Sequence, residues 1–203
     1  MAIRFVKVVV FLLCLGPLLF LIWWALNGQL SANPIEDITH QTGRWILKFL
    51  LITLAISPLR KITGRSSLIR FRRMMGLFAF FYATLHFLTY LVFYQFFNWA
   101  EIYKDVAMRP FITVGFAAFV LLIPLAITST KKWIIRLGGK QWQLLHRLIY
   151  VSATAGVIHY WWGVKLDTTW PLIYATGLAI LLGFRLLQRL KLPSPAELRR
   201  QAP

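Results

Sequence analysis

Residues 72–97 read RRMMGLFAFFYATLHFLTYLVFYQFF, and this stretch decides the fold class of the chain. After its two arginines it contains no Asp, Glu, Lys or Arg, and a single histidine, His86, lies near its middle. An apolar run of about 18 or more residues with few charges is typical of a transmembrane helix. An ionisable side chain inside such a helix is costly to bury and usually functional. The stretch therefore predicts a transmembrane helix that carries a functional histidine.

The rest of the 203-residue chain has the same character, since 59% of its residues are hydrophobic and only 14% are charged. Long apolar runs predict an all-α integral membrane protein with a single six-helix transmembrane bundle. The predicted spans are residues 8–26, 43–57, 74–97, 111–127, 144–162 and 170–187. Pro58 is expected to end the second span, and residues 192–203 are expected to form a short polar tail.

The distribution of charge predicts the orientation of the bundle. The net charge is +17, and most of the 23 basic residues fall within residues 4–7, 60–73, 131–147 and 185–200, which lie on one side of the six spans. Most of the acids fall on the other side, namely Glu36, Asp37, Glu101, Asp105 and Asp167. The positive-inside rule predicts that both termini lie in the cytoplasm. The partner that this pattern indicates is the lipid bilayer. This pattern disfavours nucleic-acid binding.

The single cysteine, Cys14, limits the cofactors that the chain can hold. One cysteine cannot form an intrachain disulfide, ligate an iron–sulfur cluster alone or provide the C-x-x-C-H attachment of c-type haem. Any haem must therefore be held noncovalently.

Two histidines are expected at the same depth in the membrane. His86 lies 13 residues after Arg73, and His159 lies 12 residues after Arg147. At 1.5 Å per residue, both are roughly 18–20 Å from the cytoplasmic edge. Two imidazoles on facing helices at one depth suit the two axial positions of a haem b. The alternatives are hydrogen bonding between helices, or a transporter or channel that uses intramembrane histidines as a polar or metal path.

His146 is expected at the inner end of the fifth span, level with Arg72 on the third span. It either serves a second haem or another cofactor or only anchors the end of the helix. Arg72 is at the depth to be its partner or to hold a haem propionate. On an ideal helix, residues 146 and 159 point about 140° apart, so the two histidines would not stack without a distortion. His40, in the first outer loop, is expected to be a cap or loop residue.

Several motifs together resemble the MsrQ family, which is similar to the ferric-reductase-like transmembrane domains. They are RRMMGL at 72–77 with His86, WQLLHRLIY at 142–150 with His159, THQTG at 39–43 and ISPLR at 56–60. The resemblance covers nearly the whole chain. One departure is Arg72 or Arg73, where a fourth haem-ligating histidine is expected in the ferric-reductase-like domains.

The resemblance implies a membrane electron-transfer subunit in the bacterial inner membrane rather than a stand-alone catalyst. It implies one or two haem b groups held by His86, His159 and His146, with an FMN or a quinone on the input side. Electrons would come from quinol or a reduced flavin, since the chain has no nucleotide-binding motif. The implied acceptor is MsrP, a periplasmic molybdopterin enzyme that reduces methionine sulfoxide in oxidised proteins. The basic segments 60–73 and 131–140 either form the input face or only orient the chain.

Overall fold

Helices account for all regular structure in the part of the chain that the computed structural model describes, residues 2–164 and 167–190. In chain order they are α1 (Ala2–Leu26), α2 (Pro34–Thr63), α3 (Ile69–Thr89), α4 (Trp99–Met108), α5 (Pro110–Ile127), α6 (Lys131–Leu137), α7 (Gly139–Leu145), α8 (Leu148–Gly163) and α9 (Thr169–Leu190). A short 3₁₀ turn, Ser66–Leu68, precedes α3, and a π-helical turn, Tyr90–Tyr94, continues it. The tail predicted at 192–203 lies outside the described residues.

The prediction of an all-α membrane bundle is confirmed. Four segments are long and apolar enough to cross a membrane, namely Ile3–Leu26, Ser66–Tyr94, Pro110–Ile127 and Thr169–Gln188. Helices α2 and α8 complete a bundle of six long helices, of which α8 is the shortest at 16 residues. The short helices α4, α6 and α7 lie in the connections, where the sequence suggested only loops.

Helix α2 is much longer than the predicted span 43–57. Its N-terminus is capped by Asn33, whose side chain accepts from the Glu36 backbone N–H, and Pro34 fills the first position. His40 therefore belongs to this helix rather than to a loop, which corrects the sequence-based expectation.

Near the N-terminus of α2, the Ser31 backbone N–H donates to Asp37 Oδ2 at 2.6 Å and lowers the pKa of that carboxyl.

Helix α2 also continues through Pro58, which was expected to end it, and stops only at Gly64 with φ +69°. Proline lacks a backbone N–H, so the carbonyl of Leu54, four residues earlier, loses its helical donor. Arg185 Nη2 donates to this carbonyl at 2.5 Å. A side chain from α9 thus replaces the missing backbone bond, and the helix is preserved.

A second backbone interruption lies in α1, which contains Pro17. The hydroxyl of Tyr82 accepts from the Leu18 N–H at 3.1 Å and donates to the Cys14 carbonyl at 2.9 Å. It thus lies between the two backbone groups that would otherwise hydrogen-bond to each other within α1. Tyr82 is almost fully buried and stacks on Phe49 of α2. The phenylalanine-rich part of α3 is therefore partly core.

The closest helix pairs are α2 with α3 and α5 with α8. Between them lies the centre of the bundle, where Leu50, Leu54 and Ala79 are fully buried. These two pairs position the candidate site.

Candidate functional site

His86 on α3 and His159 on α8 meet inside the bundle. Their ring centroids are 6.2 Å apart and their planes are nearly perpendicular, at 85°. A metal–imidazole bond is about 2 Å long, so two rings on opposite sides of one metal ion have centroids about 6 Å apart. The two side chains that the sequence placed at one depth therefore lie at the separation that axial ligation requires.

In both histidines, Nδ1 is the ring nitrogen that contacts a backbone carbonyl of a neighbouring helix. His86 Nδ1 lies 3.1 Å from the Thr39 carbonyl and 3.2 Å from Thr42 Oγ1, and His159 Nδ1 lies 2.6 Å from the Phe111 carbonyl. Because a carbonyl can only accept, Nδ1 carries the proton in both rings. Each Nε2 is then the nitrogen with a lone pair, the form of histidine that binds metals.

Each ring also rests against a glycine of the neighbouring helix. A Cβ on Gly43 of α2 would lie 3.3 Å from His86 Cε1, and a Cβ on Gly115 of α5 would lie 2.5 Å from His159 Nδ1. Any larger side chain at position 115 would displace the ring, since real Cβ atoms do not approach so closely. The absence of a side chain at these two positions makes room for the imidazoles.

A cavity of about 560 Å³ adjoins both histidines and lies between α2, α3, α4, α5 and α8. This volume is within the usual range for cofactor sites, about 300–1,000 Å³. The inner part of the wall is mainly apolar and includes Leu47, Leu50, Phe87, Phe116, Phe119 and Leu122. A large, flat, mostly apolar group with polar substituents at one edge would match this lining.

The opposite edge of the cavity is polar and is organised by Asp105 of α4. This carboxylate is buried, and it accepts from Tyr90 Oη at 3.1 Å and from Gln95 Nε2 at 2.5 Å. Arg109 Nε lies 3.4 Å from its other oxygen. The network ties α4 to the π-helical turn that follows His86, and π-helical turns are frequent at functional sites. Further polar side chains at this edge are His40, Arg44 and Glu101.

The residues present fit a haem. A haem iron needs only two protein ligands because the macrocycle supplies the other four nitrogens, and His86 and His159 provide two imidazoles at the required spacing. A metal ion bound by protein alone needs three or more ligands, and no such group of His, Cys, Asp or Glu occurs among residues 2–164 and 167–190.

His146 lies apart from this pair, at the junction between α7 and α8. The expected single span 144–162 is divided at His146–Arg147, so His146 caps α7 and is not within α8. The Thr128 hydroxyl donates to the Pro124 carbonyl at 2.6 Å and lies 3.1 Å from His146 Nε2, so that nitrogen carries a proton. The ring stacks on Trp142 with centroids 4.0 Å apart.

Arg72 does not reach the cavity of His86 and His159. Its Nη1 lies 3.4 Å from Ser57 Oγ on α2. Arg185 of α9 donates to the Leu54 carbonyl on the same helix, three residues before Ser57, although sequence reasoning had placed Arg185 only among the orienting charges.

The residues that surround the two rings could not be assigned a role from the sequence. Gly43, Gly115 and the carbonyls of Thr39 and Phe111 act on the rings from neighbouring helices, and their roles depend on helix pairing. Each glycine follows its carbonyl residue by four positions, a spacing that is visible in the sequence but is too common to be a signal by itself.

Comparisons with known proteins show the family to which the chain is related. The model of the family described as "Ferric reductase like transmembrane component" matches residues 42–157. The chain is 57% identical over 179 residues, or 87% of its length and 82% of the relative, to a protein-methionine-sulfoxide reductase heme-binding subunit MsrQ of Herminiimonas arsenicoxydans. Proteins of the same name from Ralstonia nicotianae and Xanthomonas oryzae pv. oryzae are 51% and 49% identical over 91% and 93% of this chain and 86% of theirs.

Proposed function

This chain belongs to the MsrQ family of ferric-reductase-like membrane proteins, and on that premise we propose that it conducts electrons across the membrane through haem b. The observation that carries the proposal is the pair His86 and His159, which approach each other from α3 and α8 with centroids 6.2 Å apart and both Nδ1 atoms engaged. These two residues would be the axial ligands through Nε2. When bound, the haem iron supplies a one-electron redox couple.

The chain's own contribution is to orient and bury the group. The carbonyls of Thr39 and Phe111 accept from the imidazoles and fix their tautomers, as outer-shell partners do for metal-bound histidines. The apolar wall contributed by Leu50, Phe119 and Leu122 excludes water from the ligand pair. Exclusion of water and fixed ring positions both keep the two oxidation states structurally similar, which favours rapid electron transfer.

We further propose that electrons enter at the basic end of the bundle and leave at the acidic end. The basic segments 60–73 and 131–140 would face the cytoplasm and receive electrons from quinol or a reduced flavin, with FMN as a candidate carrier. His146 would serve this inner side rather than the ligand pair. The acceptor at the outer end would be the periplasmic molybdopterin reductase MsrP, which would reduce methionine sulfoxide in oxidised proteins. The names of the relatives support a methionine sulfoxide reductase system.

The ligand assignment is tested by purifying His86→Ala, His159→Ala and His146→Ala variants from haem-supplemented cells and recording dithionite-reduced spectra. Loss of either axial ligand should remove the same low-spin haem signal, and both variants should stop electron delivery. His146→Ala should leave that signal intact and slow reduction by the donor. His40→Ala is the matched control, because His40 lies at the cavity edge and its ring faces Glu36 at 3.9 Å.

A full low-spin signal in either His86→Ala or His159→Ala would overturn the ligand assignment. Loss of the same haem in His146→Ala would pair this residue with α3 instead. The orientation is tested separately with reporter fusions after residue 190 and at Asp167, which should report the cytoplasm and the periplasm, respectively. Reports from the same side would overturn the proposed topology.

A further inference from the structure

The segment that joins α5 to α8 folds into a helical hairpin at the basic end of the bundle. Helices α6 and α7 pack against each other, and Gly138, with φ +76°, lies between them. The hairpin is fixed to the end of α5, because Trp142 Nε1 donates to the Thr128 carbonyl at 2.8 Å. The segment is therefore an ordered surface beside the ends of two long helices.

The α6–α7 hairpin carries cations and no acid. The nearest acidic residues in the sequence are Asp105 before it and Asp167 after it. Five exposed basic residues lie between α5 and α8, namely Lys131, Lys132, Arg136, Lys140 and Arg147. None of them forms an ion pair within residues 2–164 and 167–190, where the described pairs lie at the acidic end of the bundle. The hairpin therefore presents positive charge to an anion from outside the described chain.

Large apolar side chains are exposed beside these cations. On α6, Trp133 and Leu137 are partly buried one turn apart, whereas Ile135 is 83% exposed. On α7, Leu144 is 58% exposed. A phospholipid accommodates both kinds of side chain, because its phosphate attracts cations and its adjoining acyl region accepts apolar groups. A purely polar anion or an acidic protein surface would leave the isoleucine and the leucine in contact with polar groups.

We infer that the α6–α7 hairpin binds anionic phospholipid headgroups at the basic end of the bundle, with Ile135 and Leu144 in the adjoining acyl region. Lysines and arginines near an anionic membrane surface each add to the attraction. The Arg136 guanidinium lies 5.0 Å from the Trp133 ring, which holds it at the surface of the hairpin. This role goes beyond orientation of the chain, because it requires a preference for one kind of headgroup. It does not depend on haem ligation or on the electron donor.

The first test localises the lipid on the full haem-loaded chain. Nanodiscs are prepared from phosphatidylcholine alone and from an equal mixture of phosphatidylcholine and phosphatidylglycerol. Backbone hydrogen exchange in the α6–α7 hairpin should be slower in the mixture by about threefold or more, because a bound lipid opposes local opening. Helix α4 is the matched control, since it also exposes aromatic side chains but lies at the acidic end, and its exchange should not change. Equal exchange of the hairpin in the two nanodiscs would overturn the inference.

The second test compares dissociation constants for the two lipids by native mass spectrometry in a neutral detergent. Wild type should prefer phosphatidylglycerol by about tenfold. Lys131→Gln with Lys132→Gln should lose most of this preference, and Lys131→Arg with Lys132→Arg should keep it. Arg4→Gln with Lys7→Gln is the matched control, because it removes two exposed charges from the same end of the bundle but from α1. Equal losses in the two glutamine double variants would show unspecific attraction and overturn the inference.

A third comparison distinguishes a lipid site from a site for any phosphate. Excess inorganic phosphate should not displace phosphatidylglycerol, because it cannot occupy the acyl region beside Ile135. Ile135→Ser should weaken binding of both lipids and leave their ratio unchanged. Displacement by inorganic phosphate would overturn the assignment to a lipid. The low-spin haem spectrum shows that each variant is folded, and its absence from wild type would contradict the proposed function but not the lipid preference.

Discussion

Helix pairs α2–α3 and α5–α8 present a histidine in the same way. In each pair one helix carries the imidazole, and its neighbour supplies a backbone carbonyl to Nδ1 and, four residues later, a glycine under the ring. Thr39 and Gly43 serve His86, and Phe111 and Gly115 serve His159. The positions of both rings are therefore set by the neighbouring helix more than by the residues that flank each histidine.

The two pairs differ in how tightly they hold the ring. The His159 ring has a shorter bond to its carbonyl, 2.6 Å against 3.1 Å, and a closer glycine, 2.5 Å against 3.3 Å to a Cβ. His86 has an additional neighbour in Thr42 Oγ1 at 3.2 Å, which α5–α8 lacks. The comparison indicates one rigid and one adjustable ligand. We call the carbonyl residue and the glycine around each ring its cradle: Thr39 and Gly43 for His86, and Phe111 and Gly115 for His159. Substitutions in the two cradles should reveal the difference.

The largest effect is expected for Gly115→Ala. Its Cβ would overlap three atoms of the His159 ring, at 2.5, 2.7 and 2.9 Å, and the ring cannot move away without losing its carbonyl bond. Overpacking of a well-packed site costs about 1–3 kcal/mol, so haem occupancy should fall about tenfold or more. Pyridine haemochrome assays per mole of protein measure this. Full occupancy in a folded variant would show that the cradle is not needed.

A smaller effect is expected for Gly43→Ala. The new Cβ would lie 3.3 Å from His86 Cε1 and 3.5 Å from Nδ1, so the ring needs to shift by only a few tenths of an ångström. We expect the haem to be retained, with a loss of about 1 kcal/mol or less in its binding free energy. The measurement is competition for haem by apomyoglobin, with wild type in parallel. If Gly43→Ala loses as much haem as Gly115→Ala, the distinction between rigid and adjustable cradles is wrong.

Thr42→Val should make the surroundings of the two rings more alike, with a smaller effect on the haem than either glycine substitution. The substitution removes the hydroxyl near His86 Nδ1 and leaves the Thr39 carbonyl as acceptor. Weaker hydrogen bonding from Nδ1 makes the imidazole a poorer electron donor, so the midpoint potential should rise, by less than about 1 kcal/mol in free energy. A spectroelectrochemical titration detects the change. A lowered potential would contradict this account of the hydroxyl.

The smallest effect is expected for Gly76→Ala, the control for both glycine substitutions. Its Cβ would lie 3.7 Å from Thr53 Cγ2, an ordinary contact at the same α2–α3 interface but away from either histidine. Alanine also has a higher helix propensity than glycine, by about 1 kcal/mol. Haem occupancy and thermal stability should therefore be unchanged or slightly raised. A loss of haem here would mean that α2–α3 packing, and not ring clearance, controls occupancy.

The helical membrane fold and the two central histidines could be predicted because they depend on local properties. Hydrophobic run length marks a span, and counting residues from the basic edge placed His86 and His159 at one depth. The course of the chain at Pro58 and at His146 could not be predicted in this way. Helix α2 continues because Arg185 supplies a distant donor, and the chain breaks at His146 before α8 begins.

The sequence by itself determined an all-helical bundle in a bilayer, its charge asymmetry and a pair of imidazoles at matched depth, since each follows from the cost of placing polar groups in lipid. Only the tertiary structure decided which carbonyls hold Nδ1, which glycines admit the rings and which arginines meet on α2. The contacts to the two rings join residues 43 or more positions apart, such as Gly43 with His86 and Phe111 with His159. They depend on the rotation and spacing of packed helices, which no local pattern in the chain encodes.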